Sequence, residues 1–506
     1  MDAKKYINNP FWGAGEAKNF GKIAIEYAAG EDVVLDQQLV QYECLTNQVH
    51  VIMLLKQGLI DVGVAKKILK GLKEIISLDK QGKFKLRAEL EDVHSNVEQY
   101  LIDKYGIEIG GYLRLGIARN DQVYTDTRMW IKDKILFLGQ ELIQLIGKLL
   151  IKAEFYVETV MPGYTHLRIS QSITYGHWLM SKAYHFIDDL DDLLQFLEFV
   201  DQCPLGIFEM AGTSLPIDRK LTARLLGFRK NTTNSLYTAN LRGELEAKFL
   251  SILSILALHI RRTMTEVIMF SSHEFQLLKI DDLYTTGGTA QPNLKNPDTL
   301  EVVRANMAKM LSSLVETLMI MDPLPSGFNR DTQQTKPVLF SATNVMVKTL
   351  PVFTGIMTTL LPNREEMERV ANLNFATAPD LTVQLCIKGK ISFREAYKVV
   401  KTLIKQGYLK HSFTELTPAM IAEVALKTLK KKIVMTQTDI NEVAKAKECA
   451  FSHTSDGGPA PSQVKKQIHS VTKIIGKIEK RLNSMKDKQK KMIIALSIKV
   501  NKLVGE

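Results

Sequence analysis

Cysteine is scarce. Cys44, Cys203, Cys386 and Cys449 are the only four in 506 residues, and no two stand close together. That excludes CxxC redox and zinc-ligand spacings. Small buried apolar residues in a reducing compartment are the expectation for all four. Proline is scarce too, with 15 in the chain and none between Pro216 and Pro292. So little punctuation favours long helices. Apolar runs long enough to cross a bilayer are missing as well. The most hydrophobic stretch, LSILSILALHI at 250–260, is cut short by His259, Arg261 and Arg262 and reads as a core helix. The N-terminal MDAKKYINNPFWGAGE has no apolar signal-peptide core. The expectation is a cytoplasmic protein with no membrane association.

Positive charge is present but unevenly placed. The chain carries +11, and residues 466–506 alone hold eleven Lys/Arg against three Asp/Glu, a net of +8. Only +3 remains for the body, which argues against a broad nucleic-acid-binding face.

Helical periodicity fills most of the chain. One pattern runs from about Asp126 to Val160, where Ile131, Ile135, Leu138, Leu142, Leu145 and Leu149 alternate steps of four and three. Others cover Gln171–Val200, Asn240–Phe275 and Asp298–Met321. Four such helices predict an all-α bundle whose length asks for partners on several sides. The tail carries its own stripe from Val464 to Leu496, broken only at Gln489, and reads as a Lys-rich amphipathic helix docked on the body or on a neighbour. Shorter segments flank the bundle, so the expected division is 1–114, 115–362, 363–465 and a basic tail at 466–506. Between the helices, Arg119–Gln122, Met161–His166, Cys203–Arg219 and Gly287–Pro297 read as loops, where sites are usually built.

Several of these runs hold chemistry-bearing residues, each with a plain structural reading beside it. Arg119 and Asn120 in GIARNDQVYTDTRMW suit a carboxylate ligand, or a capped helix start. Thr165 and His166 in MPGYTHLRISQ sit by a Pro-Gly turn before a helix. His94 and Glu98 in EDVHSNVE share a helical face, as a surface pair would. PLGIFEMAGTSLPIDR (204–219) is a Gly-containing loop leading into a helix.

Taken together, MPGYTHL, RNDQVxTD, EDxHxxxE, AGTxxPIDR, SSxEF and KNPDxLE occur in the order and near the spacing of one family. The chain resembles argininosuccinate lyase, of the fumarase/aspartase superfamily. The similarity runs from FWGAGE (11–16) through FATAPDLTVQLCIKGKISFREAY (375–397) to SDGGPAP (455–461) and stops before the basic tail. The resemblance implies an all-α, three-domain fold. Its middle domain is a long five-helix bundle, and four subunits join theirs into a twenty-helix core with active sites shared between subunits. It also implies an anti elimination that releases fumarate from a small amino-acid substrate, a place in arginine biosynthesis, and no metal or cofactor. Carried over residue by residue, Arg119, Asn120, Asn296, Gln333 and Lys336 would hold substrate, with His94 of the EDxH motif beside them. Thr165 and His166 would form the family's Thr-His pair, with Glu301 hydrogen-bonded to the imidazole and fixing its tautomer.

One loop departs from the pattern. The family's mobile loop reads GSSxMPxKxNP, in which the first serine is the base and the lysine stabilises the intermediate. Here it reads GGTAQPNLKNP (287–297), with Gly288 at the base position, Leu294 at the lysine position and Gln291 at the methionine position. Pro292 and Asn296-Pro297 hold the register. Phe328 stands for a tyrosine, and Ile207, Phe208 and Glu209 for small residues. Thr289 is the hydroxyl nearest the lost base, while Lys295 is a poor substitute for the lost lysine. Three readings stay open on the sequence: a lyase acting on argininosuccinate or a related N-substituted aspartate with a rearranged loop, a lyase for another substrate, and a non-catalytic relative.

Overall fold

The computed structural model describes residues 6–8, 19–21, 27, 31–406 and 409–505. The FWGAGE motif at 11–16 lies outside them. The described chain is helical throughout, with short two-stranded pieces at the turns.

The centre is a bundle. Its spine is α1 (Arg119–Phe155), against which lie α2 (Tyr175–Val200) and the helix Val40–Lys56. The rest comprises α3 (Glu244–Ser271), α4 (Asp298–Asn306), α5 (Ala308–Met321) and α6 (Thr335–Thr359). All six residues of the 131–149 stripe are buried, so the heptad spacing marks the face that meets the neighbouring helices. Trp130 stacks on Phe340 with ring centres 4.3 Å apart, tying α1 to α6. The stretch Arg330–Thr359 is long and apolar enough to cross a bilayer by composition alone, and half of that window is buried. Its Leu339, Phe340, Met346, Leu350 and Phe353 belong to the bundle core. A separate apolar cluster runs from Leu381 to Cys449 over helices Ala378–Gly389, Phe393–Lys405, Pro418–Leu429 and Gln437–Ala444.

Several boundaries differ from the sequence expectation. Arg119–Gln122 is not a loop but the first turn of α1, because Asp121 caps it by accepting the Ala118 N–H at 3.0 Å. Met161–His166 is not a loop before a helix. It belongs to a hairpin of β1 (Val160–Thr165) and β2 (Arg168–Thr174), and α2 starts only at Tyr175, where Thr174 caps it. The 298–321 pattern divides at Met307, whose helical angles (φ −67°, ψ −17°) make this a loosening rather than a turn. Cys44, Cys203 and Cys449 are buried as expected, but Cys386 is only half-buried.

The basic tail forms one helix, α7 (Pro461–Val504), laid along α1 and α2. Val464, Ile468, Val471, Ile475, Leu482 and Leu496 are buried, which accounts for its stripe. The break at Gln489 has a cause, since its amide reaches Asp133 on α1. The same Asp133 accepts the Tyr42 hydroxyl at 2.6 Å.

Candidate active site

The N-terminal end of α1 works in two directions. On one side, Asp121 holds the 203–219 loop and Arg128 holds the chain just before it. The Asp121 carboxylate accepts the amides of Gly206 (2.8 Å) and Phe208 (3.0 Å). Burial pushes this carboxyl up to about 7 against the pull of those amides. The buried Arg128 guanidinium donates to the carbonyls of Val200 (3.2 Å) and Gln202 (3.1 Å), covering the end of α2. The loop is thereby fixed with Glu209 beside Asn120, whose amide donates to the Glu209 carboxylate.

On the other side, Arg119 and Asn120 open into a cavity of about 250 Å³. His94, Gln333 and Lys336 also line it. These five are the residues assigned to substrate from the sequence, with the exception of Asn296. They come from three places: the helix starting at Val93, the first turn of α1, and the Arg330–Gln334 turn together with the first turn of α6.

The cavity is strongly charged and internally paired. Lys336 donates to Asp36 at 2.6 Å and pairs with Asp32 at 2.8 Å, and Gln333 also reaches Asp32. Burial alone would lower the Lys336 pKa, but Asp36 and Asp32 outweigh it and the net direction is upward. One ammonium cannot neutralise two carboxylates, and burial with Asp36 nearby raises Asp32. Arg119 donates to Asp92 at 2.7 Å and lies 3.5 Å from Glu91, which also takes Arg330. Despite burial, the charges of His94 and Arg119 and the Ser95 amide hold Asp92 well below the usual carboxylate range. Arg242 donates to the side-chain amide oxygen of Asn120 at 3.2 Å and lies over the Phe328 ring.

His94 is not half of a surface pair with Glu98. It is buried, its Nδ1 bonds Glu43 at 2.8 Å, and its Nε2 has no partner among the described residues. Glu98 instead bonds Arg114 at 2.8 Å. Glu43, His94 and Asp126 are the one group among the described residues with metal-ligand spacing. Their charges are balanced among themselves. Burial works against ionised Glu43, but His94 beside it brings its pKa below the ordinary value. Burial and the Glu43 charge push Asp126 far up.

The remaining assigned residues do not line this cavity. Thr165 ends β1, and His166 is the first residue of the hairpin turn. His166 (φ 53°) and Leu167 (φ 58°) both adopt left-handed conformations, as a two-residue type I′ turn requires. Non-glycine residues held there cost free energy. Thr165, His166 and Glu301 are all exposed, and no His166–Glu301 hydrogen bond is present among the described residues of one chain.

The 287–297 loop is an exposed hairpin. Its strands β3 (Thr286–Gly287) and β4 (Lys295–Asn296) pair antiparallel, which places Asn296 opposite Thr286. Thr289 is exposed and Leu294 half-buried. Lys295 is committed to Asp282 at 2.7 Å and 2.8 Å, so it does not serve as the missing lysine in this arrangement. Glu209, Arg242 and the carboxylates facing Lys336 were not assigned to the site from sequence. The bulky residues at 207–209, where small ones are usual, were the only signal for the first.

A lyase family profile matches residues 32–311. The argininosuccinate lyase of Chelativorans sp. is 34% identical over 461 residues, covering 91% of this chain and 95% of that protein. The argininosuccinate lyase of Anoxybacillus flavithermus is 33% identical over 464 residues, covering 92% of this chain and 99% of its own. Among solved structures, EDDS lyase in complex with formate superposes with a TM-score of 0.80 at 25% identity, with 93% of each chain covered. A class II fumarase from Schistosoma mansoni, at 16% identity, shares the fold with a TM-score of 0.70 over 89% of this chain and 99% of its own.

Proposed function

Because the chain belongs to the argininosuccinate lyase family, we propose that it is a carbon–nitrogen lyase that eliminates fumarate from argininosuccinate or a related N-substituted aspartate. The observation that carries this reading is the gathering of Arg119, Asn120, His94, Gln333 and Lys336 around one cavity. They come from segments far apart in sequence.

In this reading the single chain holds half of the site. Thr165, His166 and Glu301 are exposed on the same chain and complete the cavities of neighbouring subunits, where Glu301 would orient the imidazole. The loop carrying Asn296 closes over substrate from outside. A homotetramer supplies these contacts. The exposed apolar side chains Leu311, Val315, Leu318 and Met319 on α5, with Ile255 and Leu258 on α3, support such an assembly. The division at 114, 362 and 465 fits the same picture, with the second apolar cluster inside 363–465. Four unpaired thiols suit the cytoplasm.

The chemistry needs a base for the proton beside the carboxylate, and donors for the dianion that follows. Gly288 offers no base. Thr289, one place along the exposed loop, carries the nearest hydroxyl and takes that role here, while His166 assists the departing nitrogen. Thr289→Val keeps the shape and removes the hydroxyl. Fumarate release, followed by its ultraviolet absorbance, should fall by about 10²–10⁴-fold, the usual weight of a general base. Unchanged release would exclude Thr289.

A further inference from the structure

Four of the five carboxylates lining the cavity lie within ion-pair distance of a cation of the same chain. Asp32 and Asp36 face Lys336, Asp92 faces Arg119, and Glu91 faces Arg330 and Arg119. Glu209 is the exception. It lines the same cavity, yet it has no cationic partner among the described residues. One of its oxygens, Oε2, is held by the Asn120 amide, and the other accepts no hydrogen bond among them. The loop behind it is anchored to Asp121 through Gly206 and Phe208. Glu209 is therefore a positioned acceptor with an open oxygen at the rim.

The cations tell the same story from the other side. Lys336 and Arg119 are already engaged by carboxylates, and Arg242 by the side-chain amide oxygen of Asn120. A ligand carboxylate arriving at Asn120 would compete with Glu209 for the same amide and meet its negative charge. A guanidinium or ammonium arriving there would find the unused oxygen and complete a charge-assisted pair.

We propose that Glu209 is a specificity-determining residue that selects a cationic amine half, a guanidinium or an ammonium, for the substrate. The assignment rests on the lyase reading above and narrows it. The cavity in one chain receives the basic end of the substrate, and the succinyl end is handled where neighbouring subunits meet.

The test is calorimetric titration of the full-length protein with agmatine, which carries a guanidinium and an ammonium but no carboxylate. Wild type should bind it, Glu209→Gln should bind it at least about tenfold more weakly, and Glu209→Asp should recover part of the loss. In turnover, Glu209→Gln should raise KM for argininosuccinate about tenfold with kcat within about twofold. KM for an N-substituted aspartate with a neutral amine half should rise far less. Equal binding of agmatine by wild type and Glu209→Gln, or no binding by wild type, would overturn the assignment. The two ideas fail separately. A protein that binds agmatine through Glu209 but releases no fumarate contradicts the lyase reading and leaves the cation site standing. A lyase whose KM ignores Glu209 does the reverse.

Discussion

The double variant Gly288→Ser, Leu294→Lys should release fumarate from argininosuccinate about 10³-fold faster than wild type. A positioned base contributes about 10²–10⁴-fold, and a donor aimed at developing negative charge about 10²–10³-fold. Both positions lie in the exposed 287–297 hairpin, where Pro292 and Asn296-Pro297 hold the family register. The full product of the two factors is not expected, because the loop must adjust. A Cβ at residue 288 would sit 2.8 Å from the Gln291 carbonyl oxygen, so the tip has to open. That opening costs little. Among the described residues, the tip is closed by a Leu294 N–H bond to the Gln291 carbonyl at 3.2 Å, and no side chain packs over Gly287. Single variants should each give less than the pair, since the base without the cation leaves the intermediate unstabilised. The check is initial-rate absorbance for all four proteins. An inert double variant would locate the divergence in the pocket wall, at Glu209 and the paired cations, rather than in the lid.

Lys336→Met should destabilise the protein by about 3–5 kcal/mol, the usual cost of removing one partner of a buried ion pair. Methionine fills a similar length, so packing is nearly kept. What is lost is the only cation among the described residues within bonding distance of Asp32 and Asp36, which then face each other in a buried site. The pH dependence follows from the direction of the Asp32 shift. Its folded pKa already lies above the ordinary value, and loss of Lys336 raises it further. The folded state of the variant then holds more protons than the unfolded state between the ordinary Asp value and the raised one. Stability therefore rises as pH falls through that window. Urea unfolding midpoints should show the largest gap from wild type near neutral pH and a narrower gap towards pH 4. A constant gap would mean that packing, not charge, is what Lys336 supplies.

The residues that made the fold legible are those with regular spacing. The 131–149 stripe marks the buried face of α1, and the tail stripe marks the face of α7 that meets the body. Long helices with little proline leave few alternative packings. The helix starts were less legible. Asp121 extends α1 back to Arg119 through a cap bond to Ala118, and such a cap looks like loop chemistry in one dimension. The hairpin at 160–174 was missed because its turn uses His166 and Leu167 at positive φ rather than Asn-Gly.

The site divides along the same line. Arg119, Asn120, His94, Gln333 and Lys336 were reached through motif resemblance, and one chain brings them together. Their internal partners were not legible. Asp36 and Lys336 are 300 residues apart, and nothing in either local sequence announces the pair. Glu209 was visible as a bulky acid where small residues are usual, but its bond to Asn120 depends on Asp121 pinning that loop.

The most direct measurement is fumarate release by the unmodified protein, read by ultraviolet absorbance, from argininosuccinate and a panel of N-substituted aspartates. Slow but enzyme-dependent release from argininosuccinate, lost in Thr289→Val, is the predicted result. No release from any member of the panel, at enzyme concentrations approaching those of substrate, would contradict the account.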